Sequence, residues 1–172
     1  MKNNIILIGM PGVGKSTLGV ILAKLMGYSF CDTDLVIQQA TGKLLREIIS
    51  DSGIDGFVET ENRINSKLYA SHSVIATGGS VVYGADAMLN LGNIGTVVYL
   101  KQDFDTISSR LRDIKGRGVV LREGQTLFDL FNERVPLYEK YADITVELKD
   151  GSVEDNVEKV MSALETYQGG GI

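Results

Sequence analysis

The chain has 172 residues, 44% of them hydrophobic and 23% charged, with a formal net charge of −5 at pH 7. That is one domain's worth of chain with a proper core; it excludes extended disorder, and the acidic balance leaves no broad basic face for nucleic acid or an anionic membrane. No apolar run approaches the ~20 residues of a membrane span. Cys31 is the only cysteine, so a disulfide within the chain is excluded and a reducing cytoplasm is expected.

Residues 4–9 read as a buried parallel strand, and the start of the chain leads straight into it, so no signal peptide is expected. The strand runs into Gly9-Met10-Pro11-Gly12-Val13-Gly14-Lys15-Ser16, which fits G-x-x-x-x-G-K-[ST] at every fixed position. A strand before and a helix after turn this match into a phosphate-binding loop. Its glycines let successive backbone N–H groups converge into an anion nest, and the helix points its positive end at the same place. Lys15 is placed to reach the β- and γ-phosphates and the Ser16 hydroxyl to ligate Mg²⁺. Leu18, Ile21, Leu22, Leu25 and Met26 then recur at helical spacing as one apolar face, with Gly27 at the C-cap.

A second strand at 28–31 delivers Asp32-Thr33-Asp34, and Asp34 starts a short helix over 35–40. Residues 43–50 predict another helix, closed by Asp51-Ser52-Gly53. A longer one is expected at about 55–70, with Phe57, Glu61, Ile64 and Leu68 on one face. Glu61 stands out in that otherwise apolar row. A strand at 73–77 ends in Gly78-Gly79-Ser80, and a short helix spans about 85–91. A fourth strand at 96–100 precedes a helix at 104–114. Residues 115–125 are basic, glycine-containing and aperiodic, which suggests a mobile lid rather than a linker. A helix at 126–141, kinked or restarted at Pro136, leads to a fifth strand at 144–148. Ser152 and Asp155 form a capping box for the last helix, with Val153, Val157, Val160, Met161 and Leu164 facing inward.

Strands alternating with helices predict an α/β fold: a five-stranded, mostly parallel sheet with helices on both faces and a mobile lid. Ligands in such sheets sit at the carboxyl ends of the strands, where the glycine loop, Asp32-Thr33-Asp34 and Gly78-Gly79-Ser80 share one rim. The third strand ends without a carboxylate, so Asp32 is the best carboxylate for a metal. Asp34, two residues on, projects from the same side in extended backbone and suits an acceptor hydroxyl as hydrogen-bond partner or general base. An ordinary turn aspartate and an ordinary helix N-cap are the competing readings of the two. Cations to stabilise transferring charge come from Arg110, Arg112, Lys115, Arg117, Arg122 and Arg134. Arg117 sits between Gly116 and Gly118, where a closing lid brings it over phosphates, and Arg134 suits bidentate capture of an anionic acceptor group. His72, the only histidine, reads as surface, and Cys31 as a small buried residue.

In this order and spacing the chain resembles the shikimate kinase family over nearly its whole length. The resemblance rests on the glycine loop through Thr17, Cys31-Asp32-Thr33-Asp34, Phe57 with Glu61, Thr77-Gly78-Gly79, Val98-Tyr99-Leu100, Arg110, the Arg117 lid and Glu133-Arg134-Val135-Pro136-Leu137-Tyr138. It implies one P-loop kinase domain over 1–172, with an acceptor-binding region at about 33–62 and a lid at about 113–125. It also implies transfer of the ATP γ-phosphate to the 3-hydroxyl of shikimate. By the resemblance ATP is held by Gly12, Val13, Gly14, Lys15, Ser16, Thr17, Arg110 and Arg117, and Mg²⁺ by Ser16 and Asp32. Shikimate is held by Asp34, Gly78, Gly79 and Arg134, while Lys15, Asp34 and Arg117 serve catalysis. Two positions depart from the family pattern. Val58 stands where the family's Phe-Arg-x-x-Glu has an arginine that shares the acceptor carboxylate, and Ser80 replaces the last of three glycines. One charge-assisted contact is worth roughly 1.5–3 kcal/mol, about tenfold to a hundredfold in affinity. A kinase of a different small hydroxylated acceptor therefore stands beside the shikimate reading, and a non-catalytic nucleotide-binding module behind both. A cytoplasmic monomer with a small-molecule acceptor, and with neither nucleic-acid nor membrane partner, is expected.

Overall fold

The computed structural model describes residues 2–112, 119, 121–149 and 151–169. The chain order is β1 (Asn4–Ile8), α1 (Lys15–Met26), β2 (Ser29–Asp32), α2 (Thr33–Thr41), α3 (Leu45–Asn65) and β3 (Ser73–Ala76). A single 3₁₀ turn (Val81–Tyr83) leads to α4 (Ala85–Ile94), β4 (Gly95–Lys101) and α5 (Phe104–Arg112). Then come α6 (Leu127–Tyr141), β5 (Ile144–Glu147) and α7 (Val153–Gly169). The strands form one sheet in the order β2-β3-β1-β4-β5, and every pairing is parallel. The expectation of a mostly parallel sheet is met in full.

β1 lies at the centre, and Ile5, Ile6, Leu7 and Ile8 are all buried. An unbroken apolar strand is what a sheet covered on both faces requires. α1 packs on β2, β3 and α7, while α4 and α6 lie against β4. Right-handed crossovers put these two groups on opposite faces, because α1 leads from β1 toward one sheet edge and α4 leads from β3 toward the other. The chain therefore reverses its direction of progress at β1. The glycine loop leaves the carboxyl end of β1 at that switch point, where such sheets open a crevice.

α1 turns a different stripe inward from the one its leucines suggest. Leu18, Gly19, Leu22 and Ala23 are buried, whereas Leu25 is 62% exposed. The reason is close approach: a Cβ on Gly19 would come within 2.8 Å of the Phe30 ring and 3.3 Å of Leu7. Small residues at 19 and 23 draw the helix onto the sheet along that line and leave Leu25 outside. Val153 in the first turn of α7 is likewise 38% exposed, while Val157, Val160 and Leu164 are buried as expected. Ser152 accepts a hydrogen bond from the Asp155 backbone N–H at 3.0 Å, the expected cap. α6 runs through Pro136 as one helix.

The two helices expected at 43–50 and 55–70 are joined into α3, with Gly53 at φ 71°, ψ −176° breaking helical geometry between them. The helix stops at Asn65, short of the expected end. α2 and α3 enclose a small core of their own, formed by Ile37, Ile48 and Phe57, apart from the main core around the sheet. Most of the stretch expected to form a lid, residues 113–118 and 120, lies outside the described residues. Among the described residues no helix is long and apolar enough to cross a membrane.

Ile37 is fully buried in the small core, so Ile37→Ala removes most of what joins α2 to α3. The expected loss is about 2–5 kcal/mol, read as a lower urea midpoint. An unchanged midpoint means that the small core does not hold the region together.

Candidate active site

The glycine loop takes the backbone form its composition calls for. Gly9, Gly12 and Gly14 have φ values of 146°, 80° and 103°, a region that residues with a Cβ rarely enter. Lys15 at the start of α1 is buried. Its Nζ folds back to donate to the carbonyls of Gly9 at 2.7 Å and Met10 at 3.0 Å. Burial pulls its pKa down to about 8, with Asp34 partly opposing the shift. Arg110 on α5 reaches the same loop, with Nη1 3.4 Å from the Val13 carbonyl oxygen and 3.5 Å from that of Gly12.

Asp32 and Asp34 come together, though not through extended backbone. α2 begins at Thr33, and Asp32 is its N-cap, with Oδ1 accepting from the Asp34 N–H at 3.0 Å. Asp34 sits in the first helical turn rather than at the cap, a correction to the expectation that it starts the helix. The other oxygen of Asp32, Oδ2, accepts from Ser16 Oγ at 3.0 Å, so a hydroxyl and a carboxylate meet beside the loop. Burial first, and the nearby Asp32 charge second, push the Asp34 carboxyl above its ordinary range, with Lys15 opposing.

Gly78 and Gly79 follow β3 and carry the closest approach in the molecule's crevice. A Cβ on Gly78 would come within 2.5 Å of Glu61 Oε1 and 3.0 Å of Asp34 Oδ1. On Gly79 it would meet Pro11 at 2.8 Å and Arg134 Nη1 at 3.0 Å. The glycines thus let groups from α2, α3, α6 and the phosphate loop close around one point. Arg134 is 7% exposed, and Glu61 is 1% exposed. Glu61 Oε2 accepts from Ser80 Oγ at 2.6 Å, while Oε1 has no partner among the described residues. Burial raises the Glu61 pKa to about 7, the Ser80 hydrogen bond lowering it and Asp34 adding to the rise.

Three residues make contacts at this site that carry no signal in the sequence. Tyr83, in the 3₁₀ turn, donates its hydroxyl to Glu133 and accepts from Arg134 Nε at 3.3 Å, and its ring faces the guanidinium at 5.3 Å. Tyr138 on α6 donates to the Gly79 carbonyl at 2.6 Å, fixing the glycine turn to the helix that carries Arg134. Ser80 meets Glu61 from 19 residues away. None of these pairs lies at a local spacing that periodicity reveals.

Of the other predicted cations, Arg122 pairs with Asp55 at 2.7 Å on the exposed surface. Arg117 and Lys115 lie outside the described residues, as does the side chain of Arg112. Burial and the Asp32 charge raise the Cys31 thiol, which suits an inert residue better than a nucleophile. Val58 is half-buried on α3, three residues before Glu61 and on the same helix face.

Because the folded protein holds a proton on Glu61 more tightly than the unfolded chain, stability from this group is whole below about pH 4.5. It is lost as pH rises to about 7. Glu61→Gln is expected to flatten the fall in urea midpoint between pH 5 and 8. Equal slopes in both proteins mean that the buried carboxyl titrates normally.

A family model described as shikimate kinase matches residues 11–165. A shikimate kinase from Thermodesulfovibrio yellowstonii is 34% identical over 170 residues, covering 97% of this chain and 98% of that protein. The solved structure of the Acinetobacter baumannii shikimate kinase in complex with shikimate matches with a TM-score of 0.87 at 32% identity, over 96% of this chain and 94% of that one. That of the Aquifex aeolicus shikimate kinase matches with a TM-score of 0.80 at 30% identity, over 98% and 99%. With that model match and these full-length likenesses in sequence and fold, the chain belongs to the shikimate kinase family.

Proposed function

We propose that this protein transfers the γ-phosphoryl group of ATP to the 3-hydroxyl of shikimate. The observation that carries the reading is the meeting of Lys15, Asp34, Glu61 and Arg134 around Gly78 and Gly79, beside the mouth of the glycine loop. Family membership supports the reaction, and the shikimate complex of the Acinetobacter relative supports the acceptor. Neither a different acceptor nor a non-catalytic module gains support from these relatives.

In this reading the backbone N–H groups around Gly12, Val13, Gly14 and Thr17 cradle the phosphates. Lys15 exchanges the Gly9 and Met10 carbonyls for phosphate oxygens, which restores to its ammonium group the counter-charge that burial withholds. Ser16 and Asp32 present hard oxygen donors at one point, which fits Mg²⁺, an ion usually bound through one or two protein oxygens together with phosphates. Bound there, the ion neutralises charge developing on the transferred group. Asp34 orients the acceptor hydroxyl and takes its proton; its raised pKa favours that step. Arg134 grips the acceptor carboxylate, held in place by Tyr83. Gly78 and Gly79 let the acceptor approach the backbone. Arg110 flanks the base at the outer side of the loop, and Arg117 covers the phosphates from the lid at about 113–125. The acceptor region at about 33–62 is part of one kinase domain, which we place in the cytoplasm as a monomer.

Purified protein with ATP and Mg²⁺ is expected to release ADP faster when shikimate is added; no acceleration at millimolar shikimate overturns the reading. Lys15→Ala is expected to lower turnover by about 100-fold or more with an unchanged circular dichroism spectrum, and preserved turnover refutes the cradle assignment.

A further inference from the structure

Glu61 enters the acceptor crevice without a cation of its own. Glu61 is 1% exposed, and among the described residues it forms no ion pair. The groups that face it are Asp34 from α2, Lys15 from α1 and Arg134 from α6, one of like charge and two of opposite charge at longer range. A cation one helical turn earlier on α3 would reach it, but that position is Val58, an apolar side chain. The only hydrogen bond to its side chain among the described residues comes from Ser80, at 2.6 Å to Oε2. Oε1 is left without a partner and points to where a Gly78 Cβ would lie, beside Asp34.

A buried carboxyl group with one bond is free to rotate away from the crevice unless that bond holds it. We propose that Ser80 is the positioning residue for Glu61, its neutral hydroxyl doing what a cation at position 58 would do and keeping Oε1 turned toward Gly78 and Asp34. Val58 and Ser80 then form a matched pair. The apolar side chain leaves Glu61 unpaired, and the hydroxyl supplies the one contact that fixes its orientation. The identity of the acceptor rests on the shikimate kinase reading; the hydrogen bond and its orienting role do not.

The test compares the wild type with Ser80→Ala, Val58→Arg and the double variant, with Ser80→Gly as a second way of removing the hydroxyl. Two quantities are read: steady-state KM for shikimate and for ATP, and titration of the Glu61 carboxyl by ¹³C NMR in the free protein. Loss of the Ser80 hydroxyl is expected to raise KM for shikimate about 10-fold, with KM for ATP changed less than about twofold. It is also expected to shift the Glu61 titration upward. Adding Val58→Arg to Ser80→Ala is expected to reverse both changes, which a merely structural role for Ser80 does not predict. Unchanged KM and titration in Ser80→Ala overturn the proposal, as does failure of the arginine to restore them. If the wild type shows no shikimate-dependent turnover, the functional reading fails by itself, and the titration alone upholds or overturns the role of Ser80.

Discussion

The packing where α2, α3, α6 and the glycine loop meet depends on two missing Cβ atoms. At Gly78 and Gly79 the backbone comes so close to Glu61, Asp34, Pro11 and Arg134 that a methyl group at either position forces its neighbours apart. That closeness fixes the size of the crevice and brings α2, α3 and α6 into one wall around it. Tyr138 ties the Gly79 carbonyl to α6, and Tyr83 ties Arg134 to the turn just beyond. Moving any one of these elements outward opens the crevice from all sides at once.

The same crowding governs the electrostatics. Lys15 and Arg134 face Asp34 and Glu61 in a space largely closed to water, so each charge is felt by the others. Burial drives Lys15 downward and Glu61 upward, both toward neutrality near physiological pH. A change of charge beside Lys15 therefore shifts the balance at Asp34, Glu61 and Arg134, with no chain movement needed.

Much of this was legible in the residues alone, because it rests on local patterns. The glycine loop has a fixed spacing, β1 is an unbroken apolar run, and the strand ends carry Asp32, Asp34, Gly78 and Gly79 in order. What local pattern misleads on is where tertiary packing decides. The leucines of α1 suggest one stripe, but Gly19 sets how closely the helix seats and so which stripe is buried. Asp34 looks like a cap, but Asp32 accepts its N–H and takes that role. The partnerships of Ser80 with Glu61 and of Tyr83 with Arg134 join residues 19 and 51 positions apart, and no periodicity encodes them.

The small core between α2 and α3 has a meaning beyond stability. Ile37, Ile48 and Phe57 pack among themselves, apart from the side chains that hold the sheet and the phosphate loop. A substitution in this patch therefore bears first on α2 and α3, which carry Asp34 and Glu61, and less on the strands that position the loop. The patch and the sheet core can therefore change side chains independently of each other.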